Sequence, residues 1–92
     1  MTQINVERKH NLGRDAARQK AEVVVQKLID RYDVQATWQG DTVAVKRSGA
    51  QGTVQIDDEA IRIDLKLGMM LAMMSGTIQS EIEKALDKAL AA

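Results

Sequence analysis

Three groups of residues have types that could do chemistry: a lone imidazole, a run of carboxylates and a glycine-rich loop. His10 is the one histidine in the sequence, and a histidine can act as a general base or a pH switch. A base also needs a nucleophile and a partner that orients it. Ser48, Ser75 and Ser80 lie far from it in sequence and in no nucleophile-like motif. We therefore expect His10 to form a local hydrogen bond beside a helix start, and we predict no catalytic residues.

The run Asp57-Asp58-Glu59 offers oxygen ligands of the kind that Ca²⁺ and Mg²⁺ prefer. A calcium loop, however, alternates its ligands over about twelve residues, whereas this run is short and stands between two strand patterns. We interpret it as a solvated hairpin turn and predict no metal site. The stretch Gly49-Ala50-Gln51-Gly52 superficially resembles a phosphate loop, but no Lys-Ser or Lys-Thr follows it, and a strand pattern rather than a helix comes next. We therefore predict no cofactor site.

The composition excludes further classes of protein. The 92 residues include no cysteine, which excludes disulfides, thiolate nucleophiles and cysteine-based zinc sites. Thirteen Lys and Arg balance thirteen Asp and Glu, and Trp38 and Tyr32 are the only aromatics, so we expect no nucleic-acid partner. No apolar run approaches the ~20 residues of a membrane span, and the first residues lack a secretory signal. We expect one cytoplasmic domain over residues 1–92 that is not an enzyme.

Hydrophobic periodicity predicts the elements that position these residues. Residues 3–7 alternate as a short strand, and residues 14–32 repeat at spacings of three and four, as in an amphipathic helix. Four strands follow between Val34 and Leu67, and a second helix runs from Met69 or Met70 to Leu90. Short turns force antiparallel pairing. We predict an α+β fold of order β-α-β-β-β-β-α: an antiparallel sheet of four to five strands with two helices packed on one face, a small helix-grip-like shape. The edge at which the first strand pairs stays open.

The start of the predicted second helix is unusually rich in methionine. Leu71 and Met74 fall on its apolar stripe, Met70 falls at the stripe's edge, and Met69 and Met73 fall nearly opposite. Either these side chains fill gaps against the sheet's end or the first helix, or Met69, Met70 and Met73 form an exposed apolar patch. Such a patch would fit an irregular apolar surface, whether a partner protein, a second copy, or a lipid or polymer surface.

A series of short motifs along the chain resembles a known family. In order, they are His10-x-Leu12-Gly13 before an Ala-rich helix with Ala17-Arg18, Trp38-x-Gly40-Asp41, Arg47-x-Gly49-x-x-Gly52, Leu67-Gly68 and Ile78-x-x-x-Ile82. Their order and spacing resemble the polyhydroxyalkanoic acid system proteins, also called the polyhydroxyalkanoate granule region family, over nearly the whole chain. The resemblance implies a small bacterial protein of polyhydroxyalkanoate storage, at the granule surface or in the making or use of the polymer. It supplies no catalytic residues.

Two hypotheses follow. The first is a non-enzymatic accessory protein that binds the polyhydroxyalkanoate granule surface or granule proteins through Met69, Met70 and Met73. The alternative is a small carrier or binding domain for a hydrophobic hydroxyacyl-type ligand, in which Trp38 and Met74 line a pocket between sheet and helix. A homodimer through the methionines or through a free sheet edge is compatible with both.

Overall fold

The computed structural model describes residues 2–91, which form one antiparallel sheet and three helices. The strands are β1 (Thr2–Lys9), β2 (Gln35–Gln39), β3 (Thr42–Arg47), β4 (Ala50–Ile56) and β5 (Ala60–Leu67). The helices are α1 (Arg14–Tyr32), α2 (Met69–Ala72) and α3 (Ser75–Ala91). The predicted α+β fold with an antiparallel sheet is confirmed.

The strand order is β1-β5-β4-β3-β2, so the first strand lies beside the last. β1 pairs with β5 from Thr2 opposite Leu67 to Lys9 opposite Ala60. The other four strands form the meander that their short turns require. Because α1 separates β1 from the meander, local turn geometry does not determine where β1 pairs. Its position follows from the buried Ile4 and Val6, which extend the apolar face of β5.

The core lies between one face of the sheet and the helices α1 and α3. The strands alternate, with mainly apolar side chains on this face and mainly polar ones on the other, as expected for a sheet covered on one side. Ala17 and Ala21 of α1 are completely buried, and their small side chains let the helix approach the strands closely. The largest fully buried side chains are Ile4, Ile61, Ile63, Leu67, Ile82, Leu86, Val24, Val43 and Val54.

The second predicted helix is interrupted, which corrects the expectation of one helix from Met69 or Met70 to Leu90. α2 ends at Ala72, and the Met74 N–H donates to the Leu71 carbonyl at 2.9 Å, a bond three residues back that tightens the last turn. Ser75 and Gly76 follow, a pair at which helices commonly kink. α3 then begins anew. Met74 lies at this break and is 47% exposed.

Candidate functional site

The residues from Gly68 to Met74 form a projecting segment at one end of the sheet, here called the methionine tip. The Gly68 N–H donates to the Gly49 carbonyl at 2.8 Å, which joins the tip to the turn between β3 and β4. The two backbones are close: a Cβ on Gly68 would lie 3.4 Å from that carbonyl oxygen. Leu71 packs over the same turn and against the core. Two glycines and one leucine therefore hold the tip in a defined position on the fold.

Three methionines of the tip point into solvent. Met69 is 86% exposed, Met70 87% and Met73 91%. None of them fills a gap against the sheet or against α1, so the exposed arrangement is the one that the structure adopts. Large apolar side chains exposed side by side are uncommon on a protein surface and often mark an interaction site. Charge is absent here as well, because residues 67–80 include no Asp, Glu, Lys or Arg.

Trp38 and Met74, which the sequence suggests as pocket residues, lie apart. Trp38 is half-buried on the edge strand β2 and pairs with Val43 beside the turn between β2 and β3. The Arg18 guanidinium covers the indole, 4.6 Å from the ring centroid. Met74 belongs to the tip, at the other end of the sheet. The structure does not bring these two side chains into one pocket.

The space between sheet and helices is small. An apolar cavity of about 30 Å³ lies beside Leu28, Val45, Leu65 and Leu71, between the sheet, α1 and the tip. That is roughly the share of one water molecule in the liquid, whereas pockets for small-molecule ligands typically hold ~300–1,000 Å³. In this conformation, this cavity within residues 2–91 is too small to hold a hydroxyacyl chain.

An open groove of about 350 Å³ runs along the surface between α1 and α3. The Tyr32 hydroxyl donates to Glu81 Oε2, and Arg31 forms an ion pair with Glu81 Oε1 at 2.5 Å. Burial, and then the hydrogen bond to Glu81, raise the pKa of the Tyr32 hydroxyl. These contacts join the C-terminal end of α1 to α3, and they engage Glu81, the first carboxylate after the uncharged segment.

His10 has the local structural role that its position indicates. Nε2 lies 3.0 Å from the Asp57 carbonyl oxygen, and Nδ1 accepts the Leu12 N–H at 3.2 Å. With Nδ1 accepting, the pattern fits the neutral tautomer that carries its proton on Nε2. Both ring nitrogens are therefore occupied in joining the loop after β1 to the turn after β4.

The carboxylate run forms the turn between β4 and β5. Asp57 Oδ1 accepts the N–H groups of Glu59 and Ala60 at 2.8 and 2.7 Å, and Oδ2 accepts from Arg62 at 2.6 Å. The two backbone N–H groups and then the Arg62 guanidinium lower the pKa of Asp57. Within residues 2–91, no three His, Cys, Asp or Glu side chains are grouped closely enough to hold a metal ion.

Basic residues beside the tip are a feature that the sequence analysis did not single out. Lys46 and Lys66 are exposed and lie in one row across the sheet, each opposite Gln51 of β4. Arg47 follows Lys46 at the same end. Lys66 directly precedes the uncharged segment, so its place beside the tip could have been predicted from the sequence. The place of Lys46 could not, because strand pairing alone brings it to this end of the sheet.

The chain's relationship to known proteins adds to this geometry. None of the helices described in residues 2–91 is long and apolar enough to cross a membrane. Neither the curated proteins nor the solved structures include a match to the chain. A family model matches residues 4–90, and its description is "Putative polyhydroxyalkanoic acid system protein". Because that match spans almost the entire sequence, the chain belongs to the polyhydroxyalkanoic acid system protein family (PHA_gran_rgn).

Proposed function

We propose that this chain is a non-enzymatic accessory protein of polyhydroxyalkanoate storage, which attaches to the surface of cytoplasmic storage granules through its methionine tip. The observation that carries the proposal is the exposure of Met69, Met70 and Met73 on an uncharged segment that is held in place by contacts with the rest of the fold. Family membership supplies the polyhydroxyalkanoate context. The polymer is a polyester, and its inclusions present apolar surface that such side chains can cover.

The expected strength of attachment follows from the tip's size. Burying a methionine side chain fully contributes about 1.5–3 kcal/mol. Three of them together offset much of the ~4–15 kcal/mol that association costs in lost translational and rotational freedom. Methionine also has an unbranched, adaptable side chain that fits irregular surfaces. A single molecule would therefore bind weakly and reversibly, as suits an accessory protein at a changing surface.

The experiment is co-sedimentation of the purified chain with isolated polyhydroxyalkanoate granules. The variant Met69→Gln, Met70→Gln, Met73→Gln keeps side-chain length and helix propensity but makes the tip polar. We expect it to lose granule binding by at least about tenfold, since each substitution removes an apolar contact. Val23→Gln is the matched control, because Val23 is 49% exposed on α1, away from the tip.

Circular dichroism and urea unfolding of all variants establish that the fold is intact. Binding of the triple variant equal to that of wild type would contradict the proposal, and so would equal losses in the triple variant and Val23→Gln. The carrier alternative would require the 30 Å³ cavity to enlarge about tenfold before it held a ligand. A homodimer through a sheet edge stays a prediction, with analytical ultracentrifugation as its measurement.

A further inference from the structure

The methionine tip has a basic margin. Lys46, Arg47 and Lys66 line one surface concavity of about 350 Å³, which extends to Gly49 and Gly68 at the base of the tip. No carboxylate contributes to its lining. The two lysines stand on β3 and β5 with β4 between them, so their backbones are about 10 Å apart. Three cationic residues thus lie at the base of the tip that carries the exposed methionines.

The lysines of this margin are available for a partner. Neither Lys46 nor Lys66 forms an ion pair with another residue in the described range 2–91. All five arginines other than Arg47 form ion pairs with carboxylates, namely those at positions 8, 14, 18, 31 and 62. Arg47 is held in place, because its Nη1 donates to the Tyr32 carbonyl at 2.9 Å.

Acidic residues around this end of the molecule lie in neighbouring concavities or are ion-paired. Asp33 shares a neighbouring concavity with Lys46 and Arg47. Asp64 stands two residues before Lys66 on the outer face of the sheet, farther from the tip. Glu81 is engaged by Arg31 and Tyr32. The end of the molecule therefore has an apolar centre and a cationic border.

We propose that the tip inserts its methionines into an anionic lipid surface, with Lys46, Arg47 and Lys66 contacting the headgroups. This inference rests on the proposed function, since it specifies the chemistry of the surface that the tip meets. An apolar centre with cations around it is the pattern that places a protein at a lipid–water interface without crossing it. A second copy bound tip to tip would instead bring two cationic borders together, which like-charge repulsion opposes.

The test is co-sedimentation with vesicles of phosphatidylcholine alone and with vesicles of an equimolar mixture of phosphatidylcholine and phosphatidylglycerol. We expect wild type to bind the anionic vesicles selectively and to release them as salt is raised. Lys46→Gln with Lys66→Gln should weaken that binding by about 30-fold, the effect of two lysines beside an anionic surface. Arg47 is left unchanged because it supports the Tyr32 carbonyl.

The matched control is Lys20→Gln with Lys27→Gln, which removes the same charge from α1, where Lys20 is partly exposed and Lys27 is exposed. It should bind anionic vesicles almost as wild type does. The triple methionine variant should lose binding to the same vesicles by at least about tenfold. Equal binding of the two lysine double variants would overturn the inference, as would equal binding to neutral and anionic vesicles, or a wild type that self-associates through the tip.

Lipid-free polymer particles separate this inference from the proposed function. Binding to native granules and to lipid-free particles, without binding to anionic vesicles, would overturn the inference and leave granule attachment standing. Binding to anionic vesicles without binding to native granules would overturn granule attachment and support the lipid specificity of the tip. If the proposed function and this inference are both correct, wild type should bind native granules and anionic vesicles. The variant Lys46→Gln with Lys66→Gln should lose both kinds of binding together.

Discussion

At the scale of single residues, Gly52 and Gly76 differ in whether the surrounding structure leaves space for a side chain. Gly52 faces inward on β4, between Val45 and Leu65 of the neighbouring strands. A Cβ there would overlap the Asp64 carbonyl oxygen and lie 2.6 Å from Leu65 Cδ2. Gly76, near the start of α3, has no atom within 4 Å of an added Cβ. One glycine is required by packing, and the other is not.

Gly52→Ala should therefore destabilise the fold, and Gly76→Ala should stabilise it. Forcing a methyl group against the β5 backbone costs about 1–3 kcal/mol in the free energy of unfolding. Alanine in place of an exposed helical glycine contributes up to about 1 kcal/mol. Urea unfolding followed by circular dichroism measures both. Equal stability changes in the two variants would show that the strand accommodates the methyl group.

At the scale of elements, the stability of α2 depends on its contacts with the rest of the fold rather than on its own hydrogen bonds. A helix of four residues is too short to be stable alone. It is held in place by Leu71, which packs against the core, and by the Gly68 N–H bond to the Gly49 carbonyl at 2.8 Å. The tip can therefore open locally without unfolding the sheet.

Leu71→Ala should loosen the tip and leave the sheet intact. We expect the amide hydrogens of Ala72 and Met74 to exchange about 5–30-fold faster, which corresponds to a local loss of about 1–2 kcal/mol for a half-buried leucine. The amides that pair β4 with β5 should exchange as in wild type. Met70→Ala is the control, since the Met70 side chain is 87% exposed and contributes little to the packing of the tip. Uniformly faster exchange throughout the chain would contradict an independent tip.

At the scale of the whole molecule, the two ends of the sheet differ in character. The methionine tip occupies one end. Arg14 forms ion pairs with Asp41 and Asp58 at the other end, near Trp38 and His10. Trp38 stands in the row of Ile63, and Leu67 follows four residues later on β5, roughly 13 Å further along the strand. A surface that covers the tip leaves Trp38 in water.

Attachment through the tip should accordingly leave Trp38 fluorescence unchanged, and this is the only tryptophan of the chain. Its emission maximum and its quenching by iodide should be the same with and without granules. Moving the tryptophan to the tip, in Trp38→Phe with Met70→Trp, should give a blue shift on binding. A saturable shift of wild-type emission on adding a 3-hydroxyacyl ligand would instead favour the carrier alternative.

The sequence by itself determined the helix over residues 14–32, the four-strand meander and the inward-facing residues. Hydrophobic period and turn length are local properties, so they can be read without knowing what lies across the fold. The motifs also determined the family. Only the tertiary structure decided that β1 pairs with β5, because a long crossover leaves that choice to packing. Strand pairing likewise placed Lys46 beside the tip, and the contact of the tip with Gly49 fixed the segment whose methionines are exposed to solvent. Each of these depends on residues distant in sequence.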